Sequence, residues 1–307
     1  MAQKRDLLTL LEFTPDETVD IIVKAQELKQ NRLIADPKIF KERTGVLLFE
    51  KPSLRTRITF ETALHELGGH VIYLANDSVQ MGKRESVDDV AKNLERWVHL
   101  IVARTFRHET IEKLASASSI PVINALSDAH HPCQALALGL TLYERFGRKQ
   151  NITIVFVGDG NNVCHSLMVL CAQLGYSFVA ACPRGYEPDP VIVATCNELA
   201  QKWNKSIIVT DDVAAAMATA TVVYTDVWAS MGQEHEAEHR RKIFAPYQIN
   251  RSLLERAPAD VLVSHCLPAH RGEEITAEVL DSDRSIALDE AENRLHVQKA
   301  VIVKLFS

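Results

Sequence analysis

Apolar residues along this chain fall into short unbroken runs, each followed by a stretch in which apolar positions recur every third or fourth residue. The runs GVLLFE (45–50), HVIYL (70–74), LIVARTF (100–106) and IPVINAL (120–126) read as buried strands. Segments such as RITFETALHEL and ESVDDVAKNLERWV between them carry the helical period. The pattern resumes with NITIVFVGDG (151–160), SFVAACP (177–183), KSIIVTDD (205–212), TVVYTDV (221–227) and ADVLVSHCLP (259–268). Strands separated by helices of that length predict right-handed crossovers and parallel sheets.

Local signals punctuate these elements. Thr14-Pro-Asp-Glu17 offers an N-cap, a proline at the first helical position and a capping-box glutamate. A long helix is expected over about 131–146, and the polar break Phe146–Asn151 is the best domain boundary. ALDEAENRLHVQKAVIVKLF predicts one amphipathic closing helix. The fold class expected is therefore α/β with two domains, residues 1–147 and 148–285, each a mainly parallel sheet flanked by helices. Residues 286–307 form the C-terminal helix, expected to return to the first domain.

Composition narrows the function. At 307 residues the chain exceeds one typical core. With 47% hydrophobic and 24% charged residues it reads as a soluble globular protein. A formal charge of −6 argues against nucleic acid or an anionic membrane as the main partner, while leaving room for a compact anion site. The N-terminal MAQKRDLLTLLEFTPDET lacks the apolar stretch of a signal peptide, and no segment is long enough to span a bilayer. Six cysteines without a C-x-x-C pair fit a reducing, cytoplasmic setting better than a disulfide framework.

Chemistry gathers at the expected C-terminal ends of the strands, where open parallel sheets bind ligands. In Lys51-Pro-Ser-Leu-Arg-Thr-Arg57, Ser53 is a natural N-cap for a helix starting near Leu54. Two arginines in a first turn oppose the helix dipole, so an anion there would offset them; the plainer reading is a capped helix with solvated arginines. Val79-Gln-Met-Gly-Lys83 follows the second strand, Arg104 and Thr105 end the third, and Asp128-Ala-His-His-Pro-Cys-Gln134 opens the helix after the fourth. Val157-Gly-Asp-Gly-Asn-Asn-Val163 tempts a dinucleotide reading. However, Val163 stands at the third glycine position and no ribose-binding acid ends the next strand, so NAD is not expected. Asn161 and Asn162 orient a polar ligand or cap a helix. Asp226 leads into Val227-Trp-Ala-Ser-Met-Gly-Gln-Glu234 and then a strongly charged stretch, His235–Lys242, which reads as a surface excursion or a lid. His235, His239, His265 and His270 raise the idea of zinc, but no further ligand accompanies them in tight register and a metal site is not expected.

Four separated segments, SLRTR, HPCQAL, DVWASMGQE and HCLPAHRG, in this order, resemble the signature segments of the aspartate/ornithine transcarbamoylase family, on its ornithine branch. The resemblance spans essentially the whole chain. It implies a first domain that binds carbamoyl phosphate and a second that binds ornithine. The implied carbamoyl-phosphate site comprises Ser53, Leu54, Arg55, Thr56, Arg57, Gln80, Arg104, His131, Gln134, Cys266, Leu267 and Arg294. Asn162, Asp226, Ser230 and Met231 would contact ornithine, and Cys266, Asp226, Arg104 and His131 would carry the catalysis. The family also implies a homotrimer in which the Gln80 loop reaches a neighbouring site, and a reaction that needs no metal or organic cofactor. Two positions depart from its usual pattern: Leu54 replaces a threonine, losing a hydroxyl but keeping the backbone N–H, and Leu138 stands where an aspartate is common. Two alternatives stay open: another transcarbamoylase, acting on putrescine, an acylated ornithine or aspartate, or a non-catalytic anion-binding protein on the same scaffold.

Overall fold

Each apolar run read as a strand becomes one, in two parallel sheets whose strands are mostly buried, a setting that favours continuous apolar sequence over alternation. The computed structural model describes residues 4–32, 38–75, 81–82, 84–148, 151–229 and 234–307. Two compact units emerge: unit 1 is Met1–Glu144 with Glu292–Ser307, and unit 2 is Arg145–Ala291.

Unit 1 opens with α1 (Pro15–Gln30), whose start is the capping box read from Thr14 and Glu17. Its sheet contains β1 (Thr44–Phe49), β2 (His70–Ala75), β3 (Leu100–Arg104) and β4 (Val122–Leu126), in the spatial order β2-β1-β3-β4. The connecting helices are α2 (Leu54–Glu66), α3 (Val87–Leu94) and α4 (His108–Ala117), and α5 (Pro132–Phe146) follows β4. Strand order reverses between β1 and β3, where Phe49 and Arg104 are register partners. That is the switch point at which a parallel sheet leaves a crevice.

Unit 2 repeats the plan. Its strands are β5 (Thr153–Val157), β6 (Ser177–Ala181), β7 (Ile207–Thr210), β8 (Val222–Thr225) and β9 (Leu262–His265), in the order β7-β6-β5-β8-β9. Helices α6 (Asn162–Leu174), α7 (Pro190–Gln201), α8 (Val213–Met217), α9 (Ala237–Phe244), α10 (Arg251–Leu254) and α11 (Ala277–Leu280) accompany them. The reversal here lies between β5 and β8. The closing helix α12 (Ala287–Phe306) coincides with the amphipathic segment read from sequence. Its residues from Glu292 onward belong to unit 1, where Asn293 Nδ2 donates to Thr141 Oγ1 at 2.9 Å and to Glu144 Oε2 at 2.8 Å. Among the described residues, no helix is long and apolar enough to cross a membrane.

One core position carries a measurable cost. His296 on α12 is 1% exposed, neither ring nitrogen has a hydrogen-bond partner, and Glu292 is 3.8 Å away. Burial first, then the Lys29 charge, pushes its pKa from 6.5 down to about 4. The unfolded chain therefore takes up a proton that the fold refuses, and stability is lost as pH falls from 6.5 through about 4. His296→Leu is expected to raise the melting temperature more at pH 5 than at pH 8. Melting curves giving the same increment at both pH values would show that the imidazole is not the titrating liability.

Candidate active site

In unit 1 the first-turn chemistry of α2 is built locally. Ser53 is extended, and its Oγ accepts from Thr56 N at 3.3 Å while donating to Thr56 Oγ1 at 3.0 Å. The N–H groups of Leu54 and Arg55 lie outside the helix's own ladder by position, so they are available to an acceptor. The Leu54 side chain is 74% exposed. Thr56 is buried, and its Oγ1 also accepts from Arg294 Nη2 at 3.2 Å. Arg294 Nη1 donates to Gln134 Oε1 at 2.5 Å. The first turns of α2 and α5 are thereby tied to the closing helix through one buried guanidinium.

Arg104, at the end of β3, and His131, just before α5, are buried beside this network. Burial first, and then the charges of Arg294, Arg104 and Arg55, hold the His131 pKa well below the ordinary imidazole range. The ring is neutral near pH 7 and can donate from one nitrogen without adding charge. Residues from four separate elements, Thr56, Arg104, His131, Gln134 and Arg294 among them, converge in an electropositive buried cluster. Such a cluster suits a phosphate dianion bearing a polarisable carbonyl.

The Arg57 side chain is engaged elsewhere. Its Nε donates to Glu61 Oε1 at 2.8 Å and its guanidinium lies 3.9 Å from the centre of the Tyr73 ring. Residues two apart on a helix point about 200° apart, so Arg55 and Arg57 cannot serve one face. Gln80, Ser230 and Met231 lie outside the described residues.

Unit 2 brings Asp226 and Cys266 together for a topological reason. Thr225 and His265 are register partners at the ends of β8 and β9, so the residues that follow them emerge side by side. The Cys266 thiol donates to Asp226 Oδ1 at 2.8 Å, and Val227 N donates to the same oxygen at 2.8 Å. Asp226 Oδ2 accepts from Asn161 Nδ2 at 2.8 Å. Asn161 is thus the amide fixed on Asp226. It is also the N-cap of α6, its Oδ1 accepting from Val163 N at 3.0 Å and Cys164 N at 3.2 Å. The N-cap position was the sequence signal for this role, since a capping asparagine can point its NH₂ elsewhere while its oxygen caps.

The G-D-G-N turn has its own reason for glycine: a Cβ on Gly160 would lie 2.2 Å from Pro188 N. In the HCLPAHR segment, His265 is fully buried between two partners. Its Nδ1 accepts from Leu267 N at 2.8 Å, which leaves Nε2 to donate to Glu274 Oε1 at 3.0 Å. This imidazole shapes the backbone just after Cys266, and Leu267 takes a left-handed φ of 53° there. His270 is exposed, and its N–H donates to the same Glu274 oxygen at 2.6 Å. Glu274 had no sequence signal.

Comparisons with known proteins show the family. A family model described as aspartate/ornithine carbamoyltransferase, carbamoyl-P binding domain, matches residues 5–144. Its companion, the Asp/Orn binding domain, matches residues 150–305. The ornithine carbamoyltransferase of Pyrococcus horikoshii is 48% identical over 302 residues, covering 98% of this chain and 95% of that protein. A Pyrococcus furiosus relative named "Ornithine carbamoyltransferase, anabolic" is 46% identical over 299 residues, 97% of this chain and 95% of its own length. The solved structure of ornithine carbamoyltransferase from Pyrococcus furiosus superposes with a TM-score of 0.94 at 46% identity, covering 98% of this chain and 96% of that one.

Proposed function

The chain belongs to the aspartate/ornithine carbamoyltransferase family, and on that premise we propose that it transfers the carbamoyl group of carbamoyl phosphate to the δ-amine of L-ornithine, giving L-citrulline and phosphate. The observation that carries the ornithine reading is the Cys266 thiol on the Asp226 carboxylate, a pair suited to holding and deprotonating an amine. Binding an anion alone would not call for such a pair, which sets aside the non-catalytic alternative. The relative named anabolic favours a place in arginine biosynthesis.

In this reading Ser53, the Leu54 and Arg55 N–H groups, Arg55, Thr56, Gln134 and Arg294 hold the phosphate. Arg104, His131 and the Thr56 hydroxyl polarise the carbamoyl oxygen where negative charge develops. A free alkylammonium titrates near ~10.4, so the amine must lose a proton before it attacks. Asp226 attracts the ammonium form, and the Asp226–Cys266 pair offers the proton its exit. Asn162, Ser230 and Met231 complete the ornithine contacts, and Cys266 and Leu267 extend the carbamoyl-phosphate set from unit 2.

The assembly proposed is a homotrimer with the Gln80 loop reaching a neighbouring site. Supporting it, β2 stands at one end of the described unit 1 sheet, with Ile72 40% exposed on it and Leu54 and Ile58 74% and 52% exposed one turn apart on α2. Six free cysteines fit a cytoplasmic setting.

The test fixes carbamoyl phosphate and varies the acceptor among ornithine, an acylated ornithine, putrescine and aspartate, with the mass of the same preparation read by sedimentation. Citrulline formation is expected to dominate at the mass of three chains. Faster turnover of another acceptor would overturn the ornithine assignment, and carbamoyl-phosphate binding without turnover of any acceptor would overturn the enzyme. A monomer mass with full activity would remove the trimer.

A further inference from the structure

We propose that Arg240 is a positioning residue for the Asp226–Cys266 pair, acting through the turn that joins β5 to α6. The proposal rests on the reading of that pair as the amine-handling centre.

The charged stretch 235–242 reads from sequence as solvated, and Arg241 and Lys242 are indeed exposed. Arg240, the residue just before them on α9, is only 6% exposed. Its Nη1 donates to Asp159 Oδ2 at 2.9 Å and to the Trp228 carbonyl at 2.9 Å. Its Nε donates to Glu236 Oε2 at 2.9 Å, and the guanidinium lies 4.9 Å from the centre of the Tyr186 ring. Every one of these contacts holds a backbone or side chain that is itself partly or fully buried, so the guanidinium works as a joint rather than a surface charge.

Asp159 lies two residues before Asn161, the amide that fixes Asp226. On the far side of the same turn, Gly160 N donates to the Tyr186 carbonyl at 2.8 Å and Gly160 itself abuts Pro188. The turn is thus gripped at Asp159 by Arg240 and at Gly160 by the 186–188 backbone. Asp159 is also a second carboxylate near Asp226. Burial pushes its pKa up to about 6, with Arg240 the chief opposing influence and Asp226 and Glu236 adding to the rise. Arg240 therefore does two things at once: it tethers the turn, and it supplies the cation that lets two carboxylates sit near each other. Without it, the Asn161 amide loses its register on Asp226, and the hydrogen-bond partner of the Cys266 thiol shifts with it.

Three variants, Arg240→Met, Arg240→Lys and Asp159→Asn, measured in the full chain test this. Arg240→Met is expected to raise the KM for ornithine about tenfold while the KM for carbamoyl phosphate stays within about twofold, a split that general loosening would not give. Arg240→Lys should recover part of the loss, and Asp159→Asn should fall on the same side as Arg240→Met. A readout without substrate is the rate at which a thiol reagent modifies Cys266, the other five cysteines being buried. That rate should change in Arg240→Met. An unchanged ornithine KM together with a wild-type Cys266 rate would overturn the proposal, as would equal rises in both KM values. If Arg240→Met does not fold, Arg240→Lys and Asp159→Asn decide on the same criteria. Wild-type protein that makes no citrulline would instead sink the functional reading, and the Cys266 rate would still judge the coupling.

Discussion

Asp226→Asn is expected to lower kcat/KM for ornithine about a thousandfold, with little change in the KM for carbamoyl phosphate. The loss has two parts that can be separated. In the native arrangement Asp226 Oδ1 accepts from the Cys266 thiol and Val227 N, and Oδ2 accepts from Asn161 Nδ2. An asparagine has one acceptor oxygen, so if that oxygen stays at the Oδ1 position its NH₂ faces the NH₂ of Asn161. Asn161 cannot turn over to relieve the clash, because its oxygen caps α6. Two buried donors in opposition cost roughly 1–3 kcal/mol. The double variant Asp226→Asn/Asn161→Asp restores the pairing with its polarity reversed and keeps a capping oxygen. It should regain the melting temperature lost by the single variant but not the turnover, since the negative charge is then displaced from Cys266. Melting curves and citrulline assays on the three proteins check this. Recovery of turnover alongside stability would show that geometry, and not the placement of the charge, is what Asp226 provides.

Arg55→Ala should reduce kcat/KM for carbamoyl phosphate by about a thousandfold or more, whereas Arg57→Ala should cost less than about tenfold. The Arg55 charge is among those that depress the His131 pKa, after Arg294 and Arg104. Arg57 is spent on Glu61 and Tyr73. Both arginines carry the same charge one residue apart from Thr56, so the contrast isolates direction from net charge. Steady-state kinetics with ornithine saturating gives both values. An Arg57→Ala loss as large as that of Arg55→Ala would mean that Arg57 leaves Glu61 to join the phosphate.

What the sequence disclosed follows from the range over which each signal acts. The Thr14 capping box and the Ser53 cap are written within four residues, and they appear where expected. The strands are legible because parallel sheets, mostly buried, need unbroken apolar runs, although several strands prove shorter than their runs. LIVARTF stops at Arg104 and ADVLVSHCLP spans only Leu262–His265, because chain leaving the sheet still has apolar neighbours to pack against. Convergence of Arg104, His131, Gln134 and Thr56 was readable from topology alone, since all lie just past strand ends or at the helix starts that follow. The helical phase separating Arg55 from Arg57 was equally present in the sequence, but the motif's compactness masked it. Other contacts had no local trace. Arg240 meets Asp159 across 81 residues, and nothing in a run of alternating charges marks which arginine turns inward. Glu274 reaches His265 nine residues later through a turn whose path the sequence does not encode in any period.

The depressed pKa of His131 has a consequence for how the protein meets changes in acidity. If the imidazole stays neutral and the remaining cations of its cluster are guanidinium groups, the receptor's charge is fixed across the whole physiological range. Near neutral pH, titration of capture by this cluster then originates in the ligand, whose phosphoryl group passes from monoanion to dianion as pH rises. The protein behaves as a constant-charge electrode, and the metabolite brings its own pH dependence to it.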